Sequence, residues 1–477
     1  MIKIYNTLSR QLEEFETIEP GVVRWYNCGP TVNGLMHLGH ARSAVAFDTI
    51  RRYLEYRKYK VRYIMNFTDI EDRMIEVATN EKRSVLEVAE EYLRGFRRDM
   101  NALNLKEATI NPRAMLHINQ MIEFIQKLEE KGYAYESKGD VYFDVKKFEG
   151  YGKLSNQKLE NILQEGTEDT QNPNKRFVAD FALWKAKKPG EPYWPSPWGE
   201  GRVGWSLECS TMSMMYLGDT IDIHSGGQDL IFPHHENEIA QSESLTGKPF
   251  AKYWLHNGFI NMNKEKMSKS LGNFSNVVDL LKNYTADAIR LFIVQTHYRS
   301  PIDFTEDIID QAQATANKLF EIFLLVKLFS KKEDTDGPLT ETDKEMLEIV
   351  KQSRAAFIEA MDEDFNTSNA FAVIFNLTKE ANDYIRKSDD IKLKVTQAID
   401  IFFDELRSIF GIFEGIEKDE STKTISTLVD LLIELRQEFR KDKNWVMSDK
   451  IRDDLKKAGI ALEDTPKRIL WKLDTDK

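Results

Sequence analysis

Cysteine occurs only twice in the 477 residues, as Cys28 and Cys209, which excludes a disulfide framework and fits a reducing compartment. Long apolar runs are missing too: no stretch reaches the ~18 consecutive apolar residues that span a bilayer. The N-terminal segment MIKIYNTLSRQLEEFETIEP has several acids and no apolar core, so it predicts neither a secretory signal nor a transit peptide. Positive charge is in deficit: 66 basic against 78 acidic residues give a net charge of −12, which argues against indiscriminate nucleic-acid binding. A local basic surface is not excluded, since residues 421–477 carry slightly more basic than acidic groups. Fibrous, membrane and secreted classes fall away. What remains is a cytoplasmic globular chain of about three domains, long enough to bury a sizeable core.

The N-terminal third predicts an α/β fold. Residues 22–28 read as a strand, Gly29-Pro30-Thr31 breaks it, a helix follows over about 38–59, and 61–67 form a second strand. This βαβ pattern predicts a parallel sheet whose ligand site lies at the carboxyl ends of the strands, where Cys28 and Thr68 fall. Residues 112–200 read as an insertion with a helix over about 113–131 and a hairpin in KGYAYESKGDVYFDV. The sheet resumes at 219–224, and a helix is expected over 230–245, starting near Pro233. From about 275 the pattern is almost wholly helical, over 276–283, 285–295, 305–330, 340–361, 367–386 and 390–411. A helix-rich segment 426–458 and a strand-like end at 460–471 follow.

Three constellations carry chemistry. His37-Leu38-Gly39-His40 lies between strand and helix, where two imidazoles spaced i, i+3, free amides and a small glycine suit a triphosphate and a flat base. Lys266-Met267-Ser268-Lys269-Ser270 supplies two lysines on small, flexible neighbours, suited to closing over phosphates. Taken singly, each also fits a polar surface turn. The third is a set of soft and borderline metal ligands: Cys28, Cys209, and the FPHHENE segment with His234, His235 and Glu238. His234 and Glu238 are spaced i, i+4 and His235 and Glu238 i, i+3, so either histidine serves; two buried small thiols without metal also fit.

HLGH followed some 230 residues later by KMSKS is the signature pair of the class I aminoacyl-tRNA synthetases. The segments NCGPTVNGLMHLGHAR, NFTDIEDRMI, DVYFDVKKFEGYGKLS, GWSLECSTM, DIHSGGQDLIFPHHENEIAQ and NKEKMSKSLGN extend the match, and the chain closely resembles the bacterial-type cysteinyl-tRNA synthetases over essentially its whole length. The resemblance implies a class I, Rossmann-like parallel sheet (1–111 and 201–255) interrupted by the connective insertion 112–200. It implies a KMSKS-bearing stem-contact region 256–310, a helical bundle 311–414 and a small C-terminal anticodon-binding domain 425–477. It also implies one zinc ion held by Cys28, Cys209, His234 and Glu238, resolving the histidine to His234, and in the family this zinc takes the substrate thiolate. By position, Thr68, Trp205 and His224 should line the amino-acid pocket and Asp229 should pair with the ammonium. His37, Gly39 and His40 with Lys266, Ser268 and Lys269 should handle ATP, accompanied by magnesium. Arg436, Trp445, Asp449, Arg452 and Trp471 are expected on the anticodon-reading surface. The implied activity is ATP-dependent ligation of L-cysteine to tRNA(Cys) by a monomer. The nearest rival, an amino-sugar cysteine ligase, is shorter at the C-terminus. A non-catalytic RNA-binding relic would be free to lose the motifs kept here. Ser225 departs from the usual pattern, standing where the family commonly has the first glycine of His-Gly-Gly-Gly.

Overall fold

The computed structural model describes residues 1–157, 172–262, 265–266, 275–331, 337–414, 420–465 and 467–473. Lys269 and Ser268 lie outside the described residues, as does the side chain of Lys266. Among the described residues, no helix is long and apolar enough to cross a membrane. The chain forms two compact units, 1–283 with 298–304, and 284–297 with 305–477.

The first unit is built on a four-stranded parallel sheet in the order 251–257, 221–227, 22–27, 60–65. Its strands are Val22–Asn27, Lys60–Met65, Ile221–Gly227 and Ala251–Asn257, and the helix Leu38–Tyr56 makes the crossover between the first two. Trp25, Tyr26, Ile64, Ile223, Tyr253 and Trp254 are buried in the sheet, as expected where helices cover both faces. The insertion makes its own antiparallel sheet, ordered Ala134–Ser137, Asp140–Phe143, Phe181–Ala186, Gly201–Val203. The predicted hairpin is its first pair.

Two elements beside the site were not foreseen. The helix Trp205–Leu217 is buried along nearly its whole circumference from Ser206 to Ser213, so it lacks the polar stripe that makes a helix readable. The strand Ala251–Asn257 is buried on both faces and shows no alternation. The helix expected from Pro233 begins later: Ile231–His235 form a wide turn interrupted by extended Phe232, and the regular helix runs Glu236–Thr246.

The second unit is helical, with long helices Glu306–Phe329, Glu341–Asp362, Thr367–Lys387 and Leu393–Phe410 around a phenylalanine-rich core that includes Phe323, Phe357, Phe371, Phe402, Phe403 and Phe410. The C-terminal segment is two helices, Glu420–Lys441 and Trp445–Lys457, and then a hairpin of Ile460–Asp464 and Ile469–Leu473 rather than a single strand. Its small core is Val429, Ile433 and Leu455, against which Trp471 packs.

Candidate functional site

The site residues gather at the carboxyl ends of the parallel strands. Cys28 follows Val22–Asn27, Thr68 follows Lys60–Met65, and Asp229 follows Ile221–Gly227. Parallel strands present this end to ligands because the crossovers leave a crevice there.

Cys28, Cys209, His234 and Glu238 bring one ligand atom each within 4.8 Å of one another, all buried. The two sulfurs are 3.4 Å apart, Cys28 Sγ is 3.3 Å from Glu238 Oε1, and His234 Nε2 is 3.1 Å from the same oxygen. A tetrahedron with Zn–S and Zn–N bonds of 2.0–2.3 Å has edges of about 3.3–3.8 Å, close to these separations. A second overlapping set, Cys28, His224, His235 and Glu238, also falls within 4.8 Å. It is the poorer one: it offers one sulfur, His235 Nε2 is 3.9 Å from Glu238 Oε1, and His235 Nδ1 is engaged with His256 Nε2 at 2.8 Å. By distance, His234 is the better placed of the two histidines.

The surroundings prepare these four groups. His224 Nε2 lies 2.8 Å from Glu238 Oε2, occupying one carboxylate oxygen and leaving Oε1 toward the sulfurs. The His224 ring is itself stacked on Trp254 at 4.5 Å. Burial opposes ionisation of Glu238, yet His224 and His234 bring its carboxyl down to about 2. Burial likewise opposes the Cys209 thiolate, but hydrogen bonding from Cys28 and contact with His234 bring it to about 6. His234 is pushed up to about 10 against its burial by Cys209 and Glu238. Cys28 is held well above the usual thiol range by burial and by the neighbouring Cys209 and Glu238. Only one thiol ionises readily while lone pairs of two sulfurs and a carboxylate crowd together. A divalent cation resolves that crowding, so the donor set fits a metal.

Ser225 turns out to be a stitch. Its hydroxyl accepts from the Trp25 indole at 2.7 Å and donates to Asn27 Oδ1 at 2.7 Å, while its carbonyl accepts the Cys28 N–H at 2.9 Å. Ser225→Ala would leave a buried indole N–H unpaired, and is expected to lower the stability of this domain by about 1–3 kcal/mol in chemical denaturation. An unchanged midpoint would mean that the hydroxyl is dispensable.

His37 is the N-cap of the helix Leu38–Tyr56, and the two imidazoles of HLGH cap reciprocally: each Nδ1 accepts the other residue's backbone N–H at 3.3 Å. Their rings stack with centroids 3.5 Å apart. Gly39 lies between them in the first turn, partly exposed. Both described ends of the KMSKS segment are anchored. Lys266 ends the strand pair with Ile260–Met262, while Leu38 N–H donates to the Ser275 carbonyl and Val277 N–H to the Met36 carbonyl. Segment 275–277 is therefore tied directly to HLGH.

Thr68 is buried and donates to Glu208 at 3.1 Å. Trp205, 39% exposed, sets its ring 4.2 Å from that of His234. Asp229 is exposed in the short turn Gln228–Leu230. Glu208, Asn66 and His256 were not foreseen. Glu208 was readable as an acid flanking a ligand cysteine in GWSLECS, and Asn66 as a polar residue at a strand's carboxyl end.

The five C-terminal candidates separate. Trp445, Asp449 and Arg452 are exposed on one helix. Arg436 is 3% exposed and bound to Asp464 at 3.1 Å, and Trp471 is half-buried against the small core.

Comparison with known proteins places these features in context. A family model described as the tRNA synthetases class I (C) catalytic domain matches residues 14–314, and the DALR domain model matches 356–414, within the helical bundle. The chain is 48% identical over 471 residues to a cysteine–tRNA ligase of Thermococcus onnurineus, covering 99% of both chains. The same figures hold for the cysteine–tRNA ligase of Thermococcus gammatolerans. A solved Mycobacterium tuberculosis methionyl-tRNA synthetase in complex with methionyl-adenylate shares the fold at a TM-score of 0.64 and 18% identity, over 86% of this chain and 94% of that one.

Proposed function

The chain belongs to the cysteine–tRNA ligases of the class I tRNA synthetase family, and we propose that it selects cysteine through a zinc ion held by Cys28, Cys209, His234 and Glu238. The enzyme joins cysteine to transfer RNA at the expense of ATP, acting as a monomer in the cytoplasm. The observation that carries the reading is the convergence of these four buried ligand atoms at the carboxyl ends of the catalytic sheet.

The chain's own residues divide the work. Thr68, Trp205 and His224 line the amino-acid pocket and Asp229 faces the ammonium. His224 also holds Glu238, so that one carboxylate oxygen stays directed at the sulfurs. When bound, zinc supplies a soft acid that prefers a readily ionised thiolate to a hydroxyl. A pocket without it rejects a hydroxyl isostere by only about a hundred-fold. In the activation step the cysteine carboxylate attacks the α-phosphate of ATP and pyrophosphate leaves. The terminal ribose hydroxyl of the RNA then displaces AMP from the mixed anhydride. No side-chain nucleophile is required. His37, Gly39 and His40 bind the nucleotide, while Lys266, Ser268 and Lys269 stabilise the phosphate charge that builds up in line, with magnesium accompanying ATP. The capped helix start beside segment 275–277 supports bringing the two motifs together over one ligand.

ATP-dependent attachment of labelled cysteine to total transfer RNA by zinc-replete protein, with serine as control, tests the function. Stable charging with cysteine alone is expected; charging with serine to a comparable extent would remove the selectivity reading.

In the C-terminal segment, the exposed Trp445, Asp449 and Arg452 are the RNA-facing group, aromatic and guanidinium planes being suited to unstacked bases. Buried Arg436, paired with the exposed Asp464, and Trp471, packed on the small core, belong to the scaffold of that segment. Trp445→Ala is expected to raise the KM for transfer RNA about 10-fold, the scale of one lost base-stacking contact, with cysteine-dependent ATP–pyrophosphate exchange unchanged. An unaltered KM would take Trp445 off the interface.

A further inference from the structure

Glu208 has no part in the chemistry above, yet it is fully buried beside Cys209 in the first turns of the helix Trp205–Leu217. Its Oε2 accepts from Thr68 Oγ1 at 3.1 Å, and among the described residues its Oε1 has no partner. A carboxyl group placed in a core without full satisfaction is costly, and its retention calls for a reason.

The reason lies in the direction of a hydrogen-bond chain. Gly29, next to the ligand Cys28, donates its backbone N–H to Asn66 Oδ1 at 2.8 Å. A backbone N–H can only donate, so the Asn66 amide is fixed with its oxygen toward Gly29 and its nitrogen toward Thr68. Asn66 Nδ2 then donates to Thr68 Oγ1 at 3.2 Å. The Thr68 hydroxyl has one proton, and it goes to Glu208, whose Oε2 accepts it. With its proton spent on Glu208 and one lone pair taken by Asn66, Thr68 Oγ1 has one capacity left, and it is an acceptor. A pocket lined by this oxygen receives an N–H donor and gives a hydrogen-bond acceptor nothing.

We propose that Glu208 is a positioning residue for recognition of the substrate's α-ammonium group: by taking the Thr68 proton it presents the Thr68 oxygen to the amino-acid pocket as an obligate acceptor. The inference rests on the reading of Thr68 as a pocket residue. Glu208, Thr68, Asn66 and Gly29 then form one relay, whose sense is set by a backbone amide adjacent to a metal ligand. The same chain that places Cys28 beside the thiol's site fixes the polarity of the group that reads the amine.

The test uses full-length, zinc-loaded protein and two ligands: L-cysteine, and 3-mercaptopropionate, which keeps the thiol and carboxylate but lacks the ammonium. KM and kcat for cysteine come from ATP–pyrophosphate exchange, the analogue's Ki from its inhibition of that reaction, and zinc content is measured for every variant. Glu208→Ala is expected to raise the cysteine KM about 10–100-fold, with kcat and the analogue's Ki within about 3-fold, because only amine recognition is lost. Thr68→Val should do the same, and the double variant should be no worse than either single one. Glu208→Gln, whose amide oxygen still accepts, should recover most of the loss. Where Glu208→Ala costs the fold or the zinc, Glu208→Met fills the space without an acceptor and repeats the comparison. Equal weakening of cysteine and analogue would assign Glu208 a purely structural role and overturn the proposal. So would a Glu208→Gln variant as poor as Glu208→Ala, since the carboxylate would then act on the ammonium directly. A silent Thr68→Val would overturn it together with the pocket reading, whereas an effective Thr68→Val beside a silent Glu208→Ala would overturn the relay alone.

Discussion

Cys209→Ser is expected to lose its bound zinc and at least about a hundred-fold in cysteine-dependent ATP–pyrophosphate exchange, since loss of an outer-shell partner alone typically costs 10–100-fold. Cys209 Sγ sits 3.4 Å from Cys28 Sγ, and it is the more readily ionised of the two thiols, drawn down to about 6 despite complete burial. A serine hydroxyl keeps the volume but does not ionise in this environment, so the protein loses a charge and a soft donor together. His224→Asn gives the graded version. It keeps all four ligands and removes the partner that holds Glu238 Oε2, so it should weaken zinc affinity by about 10–100-fold with less effect on catalysis once zinc is in excess. Elemental analysis of purified variants, with exchange assays run with and without a chelator, reads both. A Cys209→Ser protein with a full equivalent of zinc and wild-type kinetics would exclude the sulfur from the metal shell.

Gly29→Ala should be as damaging without touching a ligand. A Cβ at Gly29 would stand 1.7 Å from the backbone oxygen of Asn66, closer than any non-bonded pair survives. Neither side can yield easily: Gly29 N–H is already bonded to Asn66 Oδ1, and the following Phe67 N–H is bound to the Pro112 carbonyl. Cys28, one residue away, is also tied down through its N–H to Ser225. The extra methyl is expected to cost about 3 kcal/mol or more, at the upper end for overpacking against rigid backbone. The visible results should be a lowered unfolding transition and zinc content well below one equivalent. A stable, zinc-replete Gly29→Ala protein with an ordinary cysteine KM would show that the two segments separate freely.

How much of this was readable from the amino acids depends on how each element is solvated. The Val22–Asn27, Leu38–Tyr56 and Lys60–Met65 unit announced itself through an apolar run, a glycine-proline break and a helical period, and the structure has all three. The helix carrying Cys209 and the strand Ala251–Asn257 gave no comparable sign, because surfaces buried all round have no polar face to set a period. The helix Val85–Ala102 was overlooked for a different reason: Ser84 and Glu87 form a reciprocal capping box that a local reading could have found. Zinc-ligand spacing across 28, 209, 234 and 238 has no local signature; only likeness to relatives selected those four residues, and only distance separated His234 from His235. Hydrogen-bond direction, as in the Gly29–Asn66–Thr68–Glu208 chain, cannot be inferred from a sequence, since it depends on which backbone amide happens to face which side chain.

The four proposed metal ligands are divided between residue 28 and the stretch 209–238, with the whole insertion in between. A ribosome delivers them in that order. At 5–20 residues per second, roughly 10–40 s pass between the emergence of Cys28 and that of Glu238. Until Cys209 emerges the first thiol has none of its three companions, and until Glu238 emerges the set is incomplete. The four-residue cluster is therefore complete only after the insertion has been made, and any metal that needs all four groups is taken up late.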